Sequence, residues 1–477
     1  MTRPRRPEPV RIDGVDARGR VLDHLMQQVR VFPDLKLEGP PLAGLSDRDA
    51  AFAMAMYDAV IRRWLLIKGL ASQYLSRPWD ESPPGVRAAL LGGGAQLLFL
   101  GGVPARAAVH ETVSWVKARG GHRSSGAVNA VLRRIAELVE PETEPAPPPP
   151  VFASDAPEDT GVEPVERERA TWQDGLDEVP LSNGRALVLA EEILPVDPLT
   201  RLSVVTSHPV ELLRSWARDM SMREVRAVAL HGLIHPPVTL NTAHARAPLP
   251  EGLTSHTEPG HHVYQGAYAD LVTTLKGRSD IWVQDPASTL AASAPGDLEP
   301  KLIIDSCAGM GTKTRQLAAG FPDAEIIATD IDHVRLGTLR RTFEGSEQVR
   351  VVEHRTLSEW AGKADLVMLD VPCSNTGVLA RRVEARYRWD ERRTEQLLSM
   401  QRQILADSIP LVGRGGAILY STCSLDAREN EEQAAWCCRW HGFEKSREHR
   451  RTPQGTPGDP PERYSDGSYS VLLRSSG

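Results

Sequence analysis

Asp370-Val371-Pro372-Cys373 and Thr422-Cys423 place one carboxylate and two thiols just after two apolar runs. The run before Asp370, Leu366 to Leu369, reads as a buried parallel strand, and Ala417-Ile418-Leu419-Tyr420 reads as another. In open α/β sheets, ligands bind at the carboxyl ends of the strands. Among the groups delivered there, a thiolate is the natural nucleophile, a carboxylate can hold the edge of a substrate, and a second group must take a proton. Asp370, Cys373 and Cys423 therefore form a candidate centre for covalent catalysis. A lone cysteine reads as a small buried hydrophobe, and that reading is kept for Cys437 and Cys438, which lie in a helical stretch.

A second constellation lies upstream. The strand-like run Leu302 to Ile304 leads into Asp305-Ser306-Cys307-Ala308-Gly309-Met310-Gly311-Thr312-Lys313-Thr314 and then a helical pattern. Gly309 and Gly311 allow close backbone approach to a ligand, and Lys313 sits near a helix N-terminus. Asp330, 25 residues after Asp305, ends the next strand, where an acid can hydrogen-bond a ribose diol. Strand, glycine turn, helix, strand and acid imply an adenosine-containing cofactor. They do not separate a dinucleotide from S-adenosylmethionine.

These groups need a scaffold that lines up strand ends. Leu302–Ile304, Glu325–Thr329, Val349–Val352, Leu366–Leu369 and Ala417–Tyr420 alternate with helical stretches, which predicts a mostly parallel, doubly wound α/β domain over 291–477. Residues 190–290 read as a small α+β subdomain, with a helix over Pro209–Met220 capped from Ser207 and a strand at Pro237–Thr242. From about 12 to 140 every pattern is helical, including Ala51–Leu70, Val86–Leu100, Val103–Lys117 and Ala127–Val139, with Pro104 in a helix's first turn. An all-α bundle is expected there.

Between them, residues 141–180 hold nine prolines, eleven acids and two arginines. Such a composition cannot bury enough surface to order itself, so 141–189 is expected to be a linker. Residues 141–180 carry −9 against the chain's net −7, which leaves +2 for the rest. Net charge therefore does not exclude a nucleic-acid partner. Five cysteines without a Cys-x-x-Cys argue against a disulfide framework and a zinc site. No signal core follows the N-terminus, and the apolar run Ala88–Leu100 is too short to span a bilayer. A cytoplasmic monomer without metal or membrane attachment is expected.

Several blocks resemble one family. Ser46-Asp47-Arg48-Asp49, Ile61-Arg62-Arg63, Val103-Pro104, Glu111-Thr112-Val113 and Gly126-Ala127-Val128-Asn129-Ala130-Val131-Leu132-Arg133-Arg134 are similar to the NusB-like RNA-binding domain that opens bacterial Sun-type ribosomal-RNA (cytosine-5) methyltransferases. His208-Pro209, Leu213-Arg214-Ser215-Trp216 and Gln284-Asp285-Pro286-Ala287-Ser288 match the same enzymes. So does Asp370-Val371-Pro372-Cys373-Ser374-Asn375-Thr376-Gly377, against the family's Asp-Ala-Pro-Cys-Ser-Gly-Thr-Gly. Tyr420-Ser421-Thr422-Cys423-Ser424 is followed by Glu429-Asn430-Glu431, as in the family's Thr-Cys-Ser motif. Ser465–Leu473 resembles the strand that closes the family's sheet. The glycine turn departs from the family's Asp-x-Cys-Ala-Ala-Pro-Gly-Gly-Lys-Thr at Gly309, Met310 and Thr312, yet keeps register with the general Asp-x-Gly-x-Gly-x-Gly turn.

The resemblance implies a class I fold, S-adenosylmethionine as cofactor and RNA as partner, with 16S ribosomal RNA the expected substrate. It implies that Cys423 is the nucleophile, that Cys373 assists product release, and that Asp370 holds the base and borders the cofactor. Cys307, Ala308, Gly309, Met310, Gly311, Thr312, Lys313, Asp330 and Glu353 would line the cofactor, with Glu353 facing the adenine. Cytosine carbon 5 is a poor nucleophile until a thiolate adds at carbon 6, so this set of groups suits that chemistry. The base must leave its stack, which implies a loop or unfolded cytosine. Arg381, Arg382, Arg386, Arg388, Arg392, Arg393 and Arg402, interleaved with Tyr387 and Trp389, suit phosphates and an unstacked base. Two alternatives stand at this point, a transfer-RNA cytosine-5 methyltransferase and a catalytically silent NusB-like RNA binder.

Overall fold

The apolar runs of the C-terminal third pair into one seven-stranded sheet. A computed structural model describes residues 16–36, 38–119, 121–139, 168–293, 295–296 and 298–475. It divides into two units, one holding residues up to Pro180 plus Arg185–His208, the other Leu181–Gly184 plus Pro209–Gly477.

In the first unit, five helices form a bundle: α1 (Ala17–Val31), α2 (Asp47–Gln73), α3 (Pro84–Phe99), α4 (Ala105–Ala118) and α5 (His122–Val139). Asp16 and Ser46 cap α1 and α2 by accepting the Gly19 and Asp49 N–H groups at 2.5 and 3.2 Å. α3 is apolar on every face because it is the central helix. Its three glycines let neighbours reach the backbone: a Cβ at Gly92, Gly93 or Gly94 would lie 2.5–2.7 Å from Leu22, Leu132 or Ile67. Among the described residues no helix is long and apolar enough to cross a membrane. Pro104 precedes α4 as its N-cap and is not within the first turn.

The expected linker is shorter than 141–189. Residues 140–167 lie outside the described ones, but Glu168–Arg169, Ala186–Val188 and Glu178–Pro180 pair in that order as a small antiparallel sheet. Val179, Ala186 and Leu187 are buried, so a short apolar pattern outweighs the acidic composition around it. The boundary expected at 190 also moves. Helix Pro198–Thr206 belongs to the bundle's unit, held by the Arg63 guanidinium, which donates to Pro180 O at 2.7 Å and Val205 O at 3.0 Å. Ser207 does not start the next helix. It ends this one in a left-handed conformation (φ 54°), and the following helix spans only Val210–Trp216. Ser221 then caps Met222–His231 through a capping box with Glu224.

The main sheet contains β1 (Leu302–Asp305), β2 (Glu325–Ala328), β3 (Val349–Val351), β4 (Ala364–Asp370), β5 (Val412–Thr422), β6 (Phe443–Arg451) and β7 (Ser468–Ser475), in the order β3-β2-β1-β4-β5-β7-β6. The first five strands are parallel and the last two pair antiparallel. Both faces are covered: Ile304, Val367, Leu369, Ile418 and Val471 pack on one side, Ile303, Leu366, Met368, Ala417 and Leu472 on the other. That alternation explains why β4 reads as a continuous apolar run. The C-terminal strand does not close the sheet at its edge. Tyr469, Val471, Leu472 and Leu473 are all buried, which requires a neighbour on each side, so β7 inserts between β5 and the charged, exposed β6. Lys445, Arg447 and Arg450 on that edge discourage pairing with other chains.

In the same unit a four-stranded antiparallel sheet, Leu253–Ser255, His261–Tyr264, Val238–Asn241 and Trp282–Val283, is fastened to the main sheet by a polar network. Arg381 Nη2 donates to Asp285 at 3.1 Å and Nε to Asp466 at 2.7 Å. Both carboxylates are nearly inaccessible, whereas 31% of the Arg381 side chain is exposed. Arg381→Met would leave the two buried acids facing each other. We expect a loss of roughly 2–4 kcal/mol in a urea titration, at the lower end for a broken buried pair because of that exposure.

His231 stacks on Tyr464 at 4.8 Å and bonds to Gly455 O at 3.0 Å, and burial pushes its pKa down to about 4. The unfolded chain therefore binds one more proton between about pH 6.5 and 4. Stability from this group is complete above pH 6.5 and is lost as pH falls towards 4, by up to roughly 3 kcal/mol. In His231→Phe, denaturation curves should lose that part of the slope.

Candidate active site

Parallel pairing of β4 with β5 sets Asp370 opposite Ser421, so the two loops leave the sheet side by side. Cys373 and Cys423 are thereby delivered together, with Sγ atoms 3.2 Å apart and both half-buried. Asp370 stands at the base of the pair. Its Oδ1 accepts from Ser421 Oγ at 2.9 Å and its Oδ2 from Lys313 Nζ at 2.7 Å. The hydrogen bond to Cys423, together with burial, raises the Cys373 pKa well above the usual thiol value, so Cys373 remains a thiol at neutral pH. Burial alone would lower the Lys313 pKa, but Asp370, Cys423 and Asp305 outweigh it and raise it.

Glu429 locks the two loops together. Fully buried, it accepts from Ser374 N (2.9 Å), Ser374 Oγ (2.5 Å), Ser424 Oγ (2.6 Å) and Gln401 Nε2 (3.0 Å). Burial raises its pKa while these donors oppose the rise. Asn430 continues the clamp, accepting from Thr422 Oγ1 at 2.5 Å and donating to Ser424 O at 2.9 Å. The loops approach most closely at Gly377, whose N–H donates to Cys423 O at 2.8 Å. A Cβ there would fall 2.8 Å from both Cys423 O and Gly467 O. The sequence reading noted Glu429 and Asn430 only as accompanying residues. Their spacing after Cys423 was visible, but their burial was not.

The expected cofactor turn follows β1. Gly309 (φ 58°) and Gly311 (φ 95°) take left-handed conformations, and helix α6 (Thr312–Gly320) starts directly after them, with Lys313 in its first turn. Ala308 N bonds to Thr329 O at 2.9 Å, which ties the turn to the end of β2. Asp330 accepts from Gly309 N (3.0 Å) and Asp332 N (2.8 Å). Asp305 is buried, its Oδ2 accepts from Thr314 at 2.7 Å, and its Oδ1 has no partner. Burial raises its pKa to about 7. Cys307, in the same turn, is pushed up to about 12 by burial, Asp305 and Asp370, which makes it inert.

An orphaned carboxylate oxygen, two further acids and open space beside Gly309 fit a cationic ligand bearing a ribose, as S-adenosylmethionine is. Glu353 follows β3 and pairs with Arg340 of α7 (His333–Thr342). Met310, Ile331 and Val334 expose 64–80% of their surface around this turn. Ile331 and Val334 were missed in the sequence. The available signal was an apolar residue directly after the strand-end acid.

The basic segment is corrected in part. Arg386 is wholly buried and donates to Gly232 O and Leu379 O, and Arg381 belongs to the acid network described above. Tyr387 is buried, while Arg388 and Arg393 pair with Glu384 and Asp390. Arg382, Arg392 and Arg402 are exposed, the latter two on α8 (Glu391–Ser408). Trp389 lines a pocket of about 220 Å³ with Trp216, Arg218 and Met220, and with Thr376 and Leu425 of the two cysteine-bearing loops.

Known proteins share this layout. Residues 293–455 match the model of the 16S rRNA methyltransferase RsmB/F family, and residues 32–137 match that of the NusB family. The crystal structure of PH0851 aligns over 96% of this chain and 99% of its own, with TM-score 0.64 and 18% identity, so the two share a fold. The probable ribosomal RNA small subunit methyltransferase B of Bacillus subtilis is 26% identical, over 81% of this chain and 79% of that protein. The ribosomal RNA small subunit methyltransferase B of Xanthomonas campestris pv. campestris is 30% identical, over 87% and 85% respectively. With 30% identity over that share of both proteins, the chain belongs to the ribosomal RNA small subunit methyltransferase B family.

Proposed function

We propose that the protein is an S-adenosylmethionine-dependent RNA cytosine-5 methyltransferase that acts on 16S ribosomal RNA. The observation that carries this reading is the pair of thiols 3.2 Å apart beside Asp370. A DNA cytosine methyltransferase needs only the cysteine after the proline, whereas this chain brings a second to the same point. Family membership and the NusB domain favour a ribosomal substrate.

Asp305, Gly309, Gly311, Lys313, Asp330 and Glu353 would hold the cofactor. When bound, S-adenosylmethionine supplies an electrophilic methyl group to carbon 5. Cys423, once deprotonated, adds to carbon 6 and converts the ring into an enamine-like nucleophile. Asp370 holds the base edge, and Lys313 and Ser421 fix the orientation of its carboxylate. After methylation a water molecule takes the carbon 5 proton, the bond between carbon 6 and Cys423 Sγ breaks, and its electrons return as the Cys423 thiolate. The electrons of the carbon–hydrogen bond restore the 5,6 double bond. Cys373, protonated at rest with its Sγ 3.2 Å from Cys423 Sγ, assists that elimination by donating a hydrogen bond to the departing thiolate. The pocket lined in part by these loops, with its two tryptophans, suits bases unstacked around the target. The free thiols fit a reducing cytoplasm, and we take the enzyme to act there as a monomer.

Cys423→Ala is expected to abolish methyl transfer, and Cys373→Ala to accumulate a covalent protein–RNA adduct visible as a denaturation-resistant band. Methylation by a Cys423→Ala protein would sink the mechanism. Bisulfite sequencing of total RNA with and without the gene should show one 16S cytosine losing its methyl group. A transfer-RNA position appearing in its place would redirect the substrate assignment.

A further inference from the structure

Position 375 departs from the related motif, which has glycine there. The backbone explains the glycine: Asn375 has φ 60°, in the left-handed region that most side chains avoid. Asparagine is among the few other residues that tolerate it. Unlike glycine, it brings a side chain into the reaction centre. Its Nδ2 donates to Cys373 O at 2.9 Å, and its Oδ1 accepts from Cys423 Sγ at 3.2 Å. A carbonyl can only accept, so the Nδ2 contact settles which way the amide faces and leaves Oδ1 towards the thiol. A single residue therefore touches both cysteines.

This arrangement gives the hydrogen bonds a direction. Asn375 Oδ1 cannot donate, so the Cys423 proton points at it. The Cys373 proton is then the one that bridges the 3.2 Å gap to Cys423 Sγ. The nucleophile's rotor is held from two sides, and a donor already faces its sulfur for the moment it becomes a thiolate. We propose that Asn375 is a positioning residue for the Cys423 thiol, its side-chain amide orienting the nucleophile in a way that the family's glycine cannot. The inference rests on Cys423 being the nucleophile.

Asn375→Gly provides the test, because glycine adopts this backbone freely and the protein should fold. The full-length variant is expected to lose about tenfold in kcat with KM for RNA unchanged, as misplaced reacting groups do. In a Cys373→Ala background the same change should slow adduct formation by a similar factor. Infrared difference spectra, with the Cys423 band assigned against Cys423→Ala, should show its S–H stretch moving to higher frequency as the hydrogen bond is lost. An unchanged kcat, adduct rate and S–H band would overturn the inference. If Cys423→Ala is inactive and Asn375→Gly is indistinguishable from the parent, the role of Asn375 fails while the nucleophile assignment stands. If Cys423→Ala remains active, the nucleophile assignment fails and takes this inference with it.

Discussion

The parallel register of β4 against β5 is the constraint on which the rest of the site depends. With Asp370 opposite Ser421, each loop emerges at the same height, and the second and third residues beyond those partners are the two cysteines. A shift by one residue would turn every side chain of a strand to the opposite face. Because both faces of these strands are packed with apolar side chains, such a slip would disrupt two cores at once. The hydrophobic register therefore sets the geometry of the chemistry.

Backbone register brings the loops near each other, and buried polar groups finish the placement. Glu429 would be costly to bury alone, and it is tolerated because four donors from both loops and α8 satisfy it. Gly377 and Gly467 add main-chain contacts where side chains would not fit. On the other side, Lys313 joins the glycine turn to Asp370, so the cofactor turn and the reaction centre share one ion pair.

Charge in this protein is divided between structure and surface. Several arginines that follow the Cys373 loop in sequence are committed to internal partners, and only some face solvent. Arg381 shows the difference. It follows the Pro-Cys motif closely in the chain, yet it neutralises two buried acids that hold a small sheet against the main one.

Local pattern was enough to determine much of this protein. Apolar periodicity placed four of the five described bundle helices and all five parallel strands to within about five residues, because those signals depend only on near neighbours. The strand-end positions of Asp305, Asp330, Asp370, Cys373 and Cys423 followed from the same pattern. Their roles and the ordering of the two cysteines came from resemblance to a family. Only the tertiary structure decided the rest. It placed β7 inside the sheet and β6 at its edge, assigned residues 168–180 and 185–206 to the bundle's unit, buried Arg386, and tied Arg381 to two buried acids. It also turned Asn375 into a contact with the Cys423 thiol and the Cys373 carbonyl, and Glu429 into the clamp between loops. Each of those outcomes depends on contacts between residues far apart in sequence, and on which polar groups lose access to water. Neither quantity is carried by composition or spacing.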